Sequence, residues 1–300
     1  MVYTLGESLL DIIISSLNDV TARPGGAMLN AAVSLGRLNV STALITELGD
    51  DHTSSQIISF LECNNVSTNF IKVYRDNNSS LALAFLDSHK KPIYTFIKNY
   101  PEDRRLGKIP EFSNRDILLF GSLYSLDKNI RKSLLSIVNS AQKKGVIVIY
   151  DPNIRNAHHL KDDELRVSLN ENIRIADIIK GSDEDFTNIF GSTKYEVQIS
   201  ELRKLNKKAP IIITLGADGV VADINGKLIT LPAIETTVLS TIGAGDAFNA
   251  GIIYALGQQK IQKENLHNLH SDLLEKILIS GIKLSSMVCS SLDNYISQEI

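Results

Sequence analysis

Tryptophan is absent from this 300-residue chain and cysteine occurs only twice. Cys63 and Cys289 stand alone and far apart, which excludes a disulfide framework and fits a reduced, cytoplasmic setting. No apolar stretch approaches the ~18 to 20 residues that a membrane-spanning helix needs. Met1 to Ser15 holds an apolar run from Leu9 to Ile14, but Glu7 and Asp11 interrupt the segment and no basic residue precedes it, so it reads as a buried strand and not as a signal peptide. Neither sign of charge dominates: 31 basic and 34 acidic residues leave a net charge of -3. Without a long basic run there is no electrostatic footprint for nucleic acid or an anionic membrane. The six histidines include His158-His159 and the His267/His270 spacing. None has a Glu or Cys at metal-ligand spacing, so none is assigned a role. Internal repeats, low-complexity tracts and Pro/Ser-rich linkers are lacking as well. What remains is a globular chain, 43% hydrophobic, long enough to bury a large core and suited to small-molecule chemistry.

Short β-branched or apolar runs alternate with longer amphipathic segments. The order is Val2–Leu5, Met28–Leu38, Ala43–Leu48, Thr53–Cys63, Ile117–Phe120, Asn129–Lys144, Val146–Tyr150, Asp162–Ala176, Ile178–Lys180 and Ile211–Leu215. This is the pattern of an α/β protein with a mostly parallel central sheet. Several strands run into Gly, Asp or Asn at their C-terminal ends, as in Leu5-Gly6-Glu7 and Tyr150-Asp151-Pro152-Asn153, and that edge is where such folds bind ligands. Leu81–Leu86 and Ile93–Ile97, separated by the turn-like Asp87 to Pro92, break the alternation and predict an antiparallel hairpin. Leu81–Leu86 is apolar on both faces. Either one face covers a ligand and the other a second subunit, or the hairpin packs flat on its own domain.

The richest stretch is Thr241-Ile242-Gly243-Ala244-Gly245-Asp246-Ala247-Phe248. Small residues at 243 to 245 let backbone approach a phosphate, and the first-turn N–H groups of the following helix point at that anion. Asp246 beside it is a candidate base for phosphoryl transfer to an alcohol. The same run would also serve as a plain glycine turn with an N-cap aspartate. A dinucleotide fingerprint fits less well, because Phe248 stands where the third glycine belongs and the turn falls late in the chain where such folds carry it early. Near the other end of the chain, Pro24-Gly25-Gly26 leads into a helix carrying Asn30, which offers both a donor and an acceptor. These are properties that bind a polyhydroxylated sugar, although Asn30 also fits an ordinary helix start. Asp11 suits sugar hydroxyls or a turn. Asp151-Pro152-Asn153-Ile154-Arg155 brings polar groups to the sheet edge, with Arg155 able to meet phosphate. Thr214-Leu215-Gly216-Ala217-Asp218-Gly219 is a strand end with a two-glycine turn suited to nucleotide.

Taken in order, these motifs resemble the ribokinase-like, or PfkB, sugar kinase family from Gly6 to about Met287. The family's first signature resembles Gly25-Gly26 through Asn30, and its second resembles Gly243-Ala244-Gly245-Asp246 with Phe248 and Gly251. The resemblance implies a ribokinase-like three-layer α/β fold: residues 1–300 form a single kinase domain with a small β-sheet lid drawn mainly from 12–24 and 81–99. It implies Asp246 as general base and the amides of Gly243, Ala244, Gly245 and Asp246 as an anion hole. It further implies Asp11, Gly25, Gly26 and Asn30 on the sugar, Thr214, Gly216, Gly219 and Ser182 near ATP, and homodimers through the lid. Gly6-Glu7 with Asp11, Ser80 to Phe85, Phe120-Gly121-Ser122 and Asp151 to Arg155 look most like bacterial fructokinases, which points to phosphorylation of fructose at its primary hydroxyl to fructose 6-phosphate. Ribose, ketodeoxygluconate or a nucleoside are the alternative acceptors, and a catalytically idle sugar-binding protein is the rival from another class. The lack of tryptophan argues against a base-stacking nucleoside pocket. Three departures stand out. Lys98, where fructokinases often have arginine, keeps the charge without the bidentate fork. Ser240 replaces an aspartate that helps hold a monovalent cation, which predicts weak or absent potassium activation. The family's Asn-x-x-Glu reads Ser182-Asp183-Glu184-Asp185, so Asp185 would act on Mg2+ through water, or close a helix capping box with Ser182.

Overall fold

The computed structural model describes residues 1–16, 18–86 and 92–298. In chain order the elements are β1 (Val2–Leu5), β2 (Leu9–Ser16), β3 (Asp19–Gly25), α1 (Ala27–Arg37), β4 (Thr42–Gly49), α2 (His52–Cys63), β5 (Val66–Tyr74), β6 (Leu81–Leu86) and β7 (Pro92–Ile97). They continue with β8 (Ile117–Gly121), α3 (Lys128–Lys143), β9 (Ile147–Asp151), α4 (Asp163–Ile175), β10 (Ile178–Ser182), α5 (Asp183–Phe190) and α6 (Tyr195–Leu205). The last are β11 (Ile211–Thr214), β12 (Val220–Ile224), β13 (Lys227–Leu231), α7 (Ala244–Gln258) and α8 (Ser271–Cys289).

Nine strands form the main sheet in the order β13-β12-β11-β10-β9-β8-β1-β4-β5. Every pairing from β11 to β5 is parallel, and β12 and β13 add an antiparallel edge. Strand alternation divides the apolar side chains between two cores. Ile117 and Leu119 join the core built with α1, α2, α7 and α8, whereas Leu118 and Phe120 join the core built with α3 to α6. Both faces are thus covered by helices, which is why these strands read as continuous apolar runs. The expected three-layer α/β architecture is present. Helix starts follow local chemistry: the Asp51 side chain accepts from the Ser54 N–H to open α2, and the Asp127 side chain accepts from the Asn129 N–H to open α3.

A second sheet of four strands, β3-β2-β6-β7, stands apart from the first. The hairpin predicted from Leu81–Leu86 and Ile93–Ile97 is its β6/β7 half; the turn at 87–91 lies outside the described residues. The Leu9–Ile14 run is a strand but not a buried one. Leu9 is buried, while Ile12, Ile13 and Ile14 are only half-buried, because β2 leaves the body and pairs with β3 and β6 in the small sheet.

The chain returns from β7 to the body through a segment anchored by Arg104. Its guanidinium donates to Glu47 Oε1 and to Asp127 Oδ2 and stacks on the Tyr100 ring, 3.7 Å from the centroid. The Tyr124 hydroxyl donates to the same Glu47 oxygen at 2.9 Å. Arg104 is 6% and Glu47 1% exposed, so removing one partner strands a buried charge. Arg104→Leu should therefore lose about 3 to 5 kcal/mol of stability in urea unfolding. A loss below about 1 kcal/mol, the range of solvated surface pairs, would show that the pair is not desolvated.

Candidate active site

Parallel strands deliver their C-terminal ends to one edge of the sheet. Glu7 and Ser8 follow β1 there, and Asp151, Ser182 and Thr214 close β9, β10 and β11. The N-termini of α1 and α7 reach the same edge, and each opens on a glycine with positive φ, Gly26 at 121° and Gly243 at 82°. Neither position tolerates a side chain. A Cβ on Gly26 would lie 2.3 Å from the Glu7 carbonyl oxygen, and one on Gly243 would lie 2.1 Å from that of Asn294. The two glycine turns, far apart in sequence, meet through one buried hydrogen bond: Asn30 Nδ2 donates to Asp246 Oδ2 at 2.9 Å.

No side chain caps α7. Helix geometry leaves the Gly245 and Asp246 N–H groups in its first turn without an intrahelical acceptor, which is the setting that binds an anion. The Ala244 N–H is less free, since it donates to the Thr241 carbonyl at 3.3 Å. Burial pushes the Asp246 carboxyl up to about 7, with Asp151 adding to the rise; the Asn30 hydrogen bond, Lys180 and Arg155 pull it back. A carboxyl with that pKa is poised to accept a proton near neutral pH.

Asp11 lies on β2 beside Gly25, where a Cβ would fall 1.9 Å from Asp11 Oδ2. Burial pushes its carboxyl up to about 6 against the opposing pull of Arg23. In the small sheet Asp11 is in register with Arg23 and Ala82, and Ala82 with Phe96, so these four share a face with Ala84 and Tyr94. The Tyr94 hydroxyl is raised first by burial and then by the Asp11 charge, with Arg155 opposing. Arg155 therefore lies within electrostatic reach of both Asp246 and this face of the small sheet. The Lys98 ammonium pairs with Glu7 at 2.7 Å, and the Tyr100 hydroxyl donates to the same carboxylate at 2.7 Å, tying the end of β7 to the loop after β1.

The residues expected near nucleotide gather along the neighbouring strands. Ser182 and Thr214 are paired in register across β10 and β11. Gly216 has open space where a Cβ would be, whereas Gly219 packs against the Leu231 carbonyl and is required by the β12/β13 hairpin. Ser182 and Asp185 form the capping box of α5, with Ser182 Oγ donating to Asp185 Oδ2 at 2.7 Å and accepting from the Asp185 N–H at 3.0 Å. Among the described residues no group of three or more His, Cys, Asp or Glu is placed to hold a metal ion. Burial raises the Asp185 carboxyl, and repulsion from Asp151 raises it further, with Lys180 as the opposing cation. Lys180 pairs with Asp151, and Asp185 is the carboxylate that would meet a hydrated magnesium ion, whose other ligands would come from phosphate and water. Ser240 Oγ accepts from the Ile242 N–H at 3.2 Å, so a neutral hydroxyl closes its local turn.

Four contributors, Lys180, Asn249, Tyr94 and Phe96, escaped the sequence reading. Lys180 reaches Asp151 and the Gly245 carbonyl from within β10; a lysine inside the apolar run Ile178-Ile179-Lys180 was the available signal. Asn249 Nδ2 donates to Asp151 Oδ2 at 2.6 Å. Tyr94 and Phe96 stack with ring centroids 5.8 Å apart on the face that carries Asp11, so the lack of tryptophan does not leave this face without aromatic surface.

Residues 2–296 match the family described as pfkB family carbohydrate kinase. The chain belongs to that family. It is a sugar kinase, a phosphotransferase. A fructokinase from Klebsiella pneumoniae is 28% identical over 274 residues, covering 91% of this chain and 89% of the relative. Two solved structures share the fold. A fructokinase from Vibrio cholerae in its fructose, ADP and calcium-bound form has a TM-score of 0.87 at 21% identity, covering 99% of this chain and 95% of that one. Aminoimidazole riboside kinase from Salmonella enterica, complexed with aminoimidazole riboside and an ATP analog, has a TM-score of 0.84 at 23% identity, covering 100% and 96%.

The raised Asp246 carboxyl carries a stability consequence. The kinase in its folded form holds this proton more tightly than the unfolded chain, whose value is 3.8, so the fold loses stability as pH rises from there to about 7. Asp246→Asn removes that loss. In calorimetry the variant should melt above the parent at pH 8, with the gap shrinking toward pH 5. A gap independent of pH would mean that Asp246 ionises without penalty.

Proposed function

We propose that this sugar kinase transfers the γ-phosphoryl group of ATP to a primary hydroxyl of a small sugar, with fructose as acceptor and fructose 6-phosphate as product. The observation that carries the reading is the Asn30–Asp246 hydrogen bond. It joins a turn suited to sugar hydroxyls with a turn suited to phosphate at one buried carboxylate. In this reading Asp11, Asn30 and the Gly25-Gly26 backbone hold the sugar. Asp246 removes the proton of the hydroxyl as its oxygen bonds to phosphorus and the bond to the ADP oxygen breaks. The Gly245 and Asp246 amides offset the charge that develops on the transferred group. Asp185 would hold a magnesium ion through water, and that ion would supply further charge neutralisation. Thr214 and Gly216 border the nucleotide. The small sheet serves as a lid, its Asp11 face turned to the sugar to exclude water and prevent wasteful hydrolysis.

The fructokinase relative and the fructose and ADP named for the Vibrio cholerae structure support this choice of acceptor and nucleotide. A second reading, a nucleoside-like acceptor, is favoured by one observation: the stacked Tyr94 and Phe96 offer a flat aromatic surface, and the aminoimidazole riboside kinase shares the fold. The neutral Ser240 supports independence from potassium.

The deciding experiment is ADP release from ATP and magnesium with fructose, ribose, ketodeoxygluconate and aminoimidazole riboside, with potassium present and absent. Fructose should give the highest kcat/KM, indifferent to potassium. Asp246→Asn should lower kcat by roughly 10² to 10⁴, and the acid limb of the parent's kcat/KM profile, which reports the free enzyme, should fall near the Asp246 value of about 7. Preference for the riboside would replace the acceptor. Silence with every acceptor, or an Asp246→Asn variant within a few-fold of the parent, would overturn the mechanism.

The other face of the small sheet carries Leu10, Ile12, Leu81, Leu83, Phe85 and Ile97, with Phe85 45% and Ile97 48% exposed. An apolar face of this kind supports a homodimer formed lid to lid. Sedimentation of the parent should give a dimer and that of Leu83→Lys a folded monomer. A monomeric parent at micromolar concentration would remove the dimer.

A further inference from the structure

Lys180 is a cation that none of the roles above uses. It is 3% exposed and sits in a strand covered on both faces. Desolvating an ammonium is costly, and replacing a buried ion pair with apolar side chains is often neutral or stabilising. A lysine here therefore calls for a reason other than stability. Its contacts supply one. Nζ donates to Asp151 Oδ2 at 3.0 Å and to the carbonyl oxygen of Gly245 at 3.2 Å. The same Asp151 oxygen accepts from Asn249 Nδ2 at 2.6 Å, and Asn249 lies one helical turn beyond Gly245. The first turn of α7 is thus tied to the sheet at both ends, at Gly245 by a side chain of β10 and at Asn249 by a side chain of β9. Gly245 itself fits this arrangement, because a Cβ there would lie 3.1 Å from Lys180 Nζ.

We propose that Lys180 is a positioning residue of the transfer reaction: by holding the Gly245 carbonyl, with Asp151 as its counter-charge, it fixes the first turn of α7 so that the Gly245 and Asp246 amides meet the phosphoryl group. This rests on the phosphotransfer reading above. The alternative role for Lys180 is neutralisation of Asp151 and nothing more. The two roles separate in a double-mutant cycle. If Lys180 only neutralises Asp151, its loss costs nothing once Asp151 is neutral; if it holds the turn, its loss costs activity in either background.

The test compares kcat and KM of the parent, Lys180→Met, Asp151→Asn and the Lys180→Met/Asp151→Asn double variant, using the acceptor that the parent prefers. Lys180→Met should lower kcat by ~100-fold or more, the scale of losing one preorganised donor to the transition state. KM for the sugar should stay within about threefold, because the sugar contacts are untouched. The same substitution should lower kcat by a similar factor in the Asp151→Asn background. As a second readout, the acid limb of the Lys180→Met profile should move to higher pH. The groups acting on Asp246 are Asn30 from α1, Asp151 from β9, Arg155 from the following loop and Lys180 from β10, and Lys180 is the one cation removed. If Lys180→Met fails to fold because Asp151 is left unpaired, Asp151→Asn against the charge-neutral double variant decides alone. Equal kcat in those two, or a Lys180→Met kcat within about threefold of the parent, would overturn the proposal. A folded parent without acceptor-dependent ADP release would instead overturn the phosphotransfer reading, and the role of Lys180 with it.

Discussion

The Asn30–Asp246 hydrogen bond, 2.9 Å long and buried, is the contact on which the geometry of the site depends. It forms only if α1 and α7 bring their N-termini to one edge of the sheet, and that placement follows from the packing below it. Met28, Leu29 and Ala32 of α1 share a core with Ala247, Phe248 and Ile252 of α7. Close approach at the helix starts is secured by glycines with no room for a Cβ, at Gly26 against Glu7 and at Gly243 against Asn294. A carboxylate held there is desolvated on every side, and one amide hydrogen bond does not compensate for that. The raised Asp246 carboxyl is the measurable consequence of the fold placing it. Stability is given up at the position where proton affinity is useful.

Charge is handled differently a short distance away. Asp151, Lys180 and Asn249 form a compact set in which one carboxylate oxygen takes two donors while Asp151 Oδ1 is buried without a partner. Arg104 and Glu47 repeat the pattern where the chain returns from the small sheet, and there Glu47 Oε1 accepts from arginine and tyrosine and Oε2 from neither. The carboxylates of both sets lie at or near the C-terminal ends of parallel strands, Asp151 on β9 and Glu47 on β4. Ion pairs here tie one element to another: the first turn of α7 to the sheet, and the segment leaving β7 to the body. Purely apolar packing would hold these parts without fixing their rotation, because dispersion contacts are non-directional and charge-assisted hydrogen bonds are not.

Much of this was legible in the sequence, for physical reasons. Continuous apolar runs such as Ile117 to Phe120 announce strands covered on both faces, and the glycine turns at 25–26 and 243–245 announce backbone that must come close to something. The reading was weakest where a segment belonged to the small sheet. Leu9 to Ile14 has the composition of a core strand, and only pairing with β6, contributed by a distant part of the chain, reveals that half of it faces outward. Asp19 to Gly25 and the β12/β13 hairpin carry mixed polar and apolar residues, and their pairing is set by neighbours and not by their own pattern. Lys180 was missed because a single lysine in a strand carries no periodicity. Its meaning appears only when α7 is laid across the sheet edge.

In the small sheet one residue of register sets both the Asp11 face and the apolar face. Side chains alternate along β2, so Asp11 and the apolar trio Leu10, Ile12 and Ile14 necessarily face opposite ways. Pairing of Asp11 with Ala82 and Arg23 puts the carboxylate, with Ile13, on the face of the stacked aromatics and gathers Leu10, Ile12 and Ile14 of β2 with Leu81, Leu83 and Phe85 of β6 on the other side. A slip of one residue would reverse both faces together, turning Asp11 outward and presenting leucine and isoleucine to the site. Burial of the apolar face and correct aim of the acid are therefore a single structural decision. Any contact that covers Leu83 and Ile12 also selects the register in which Asp11 lies beside Gly25.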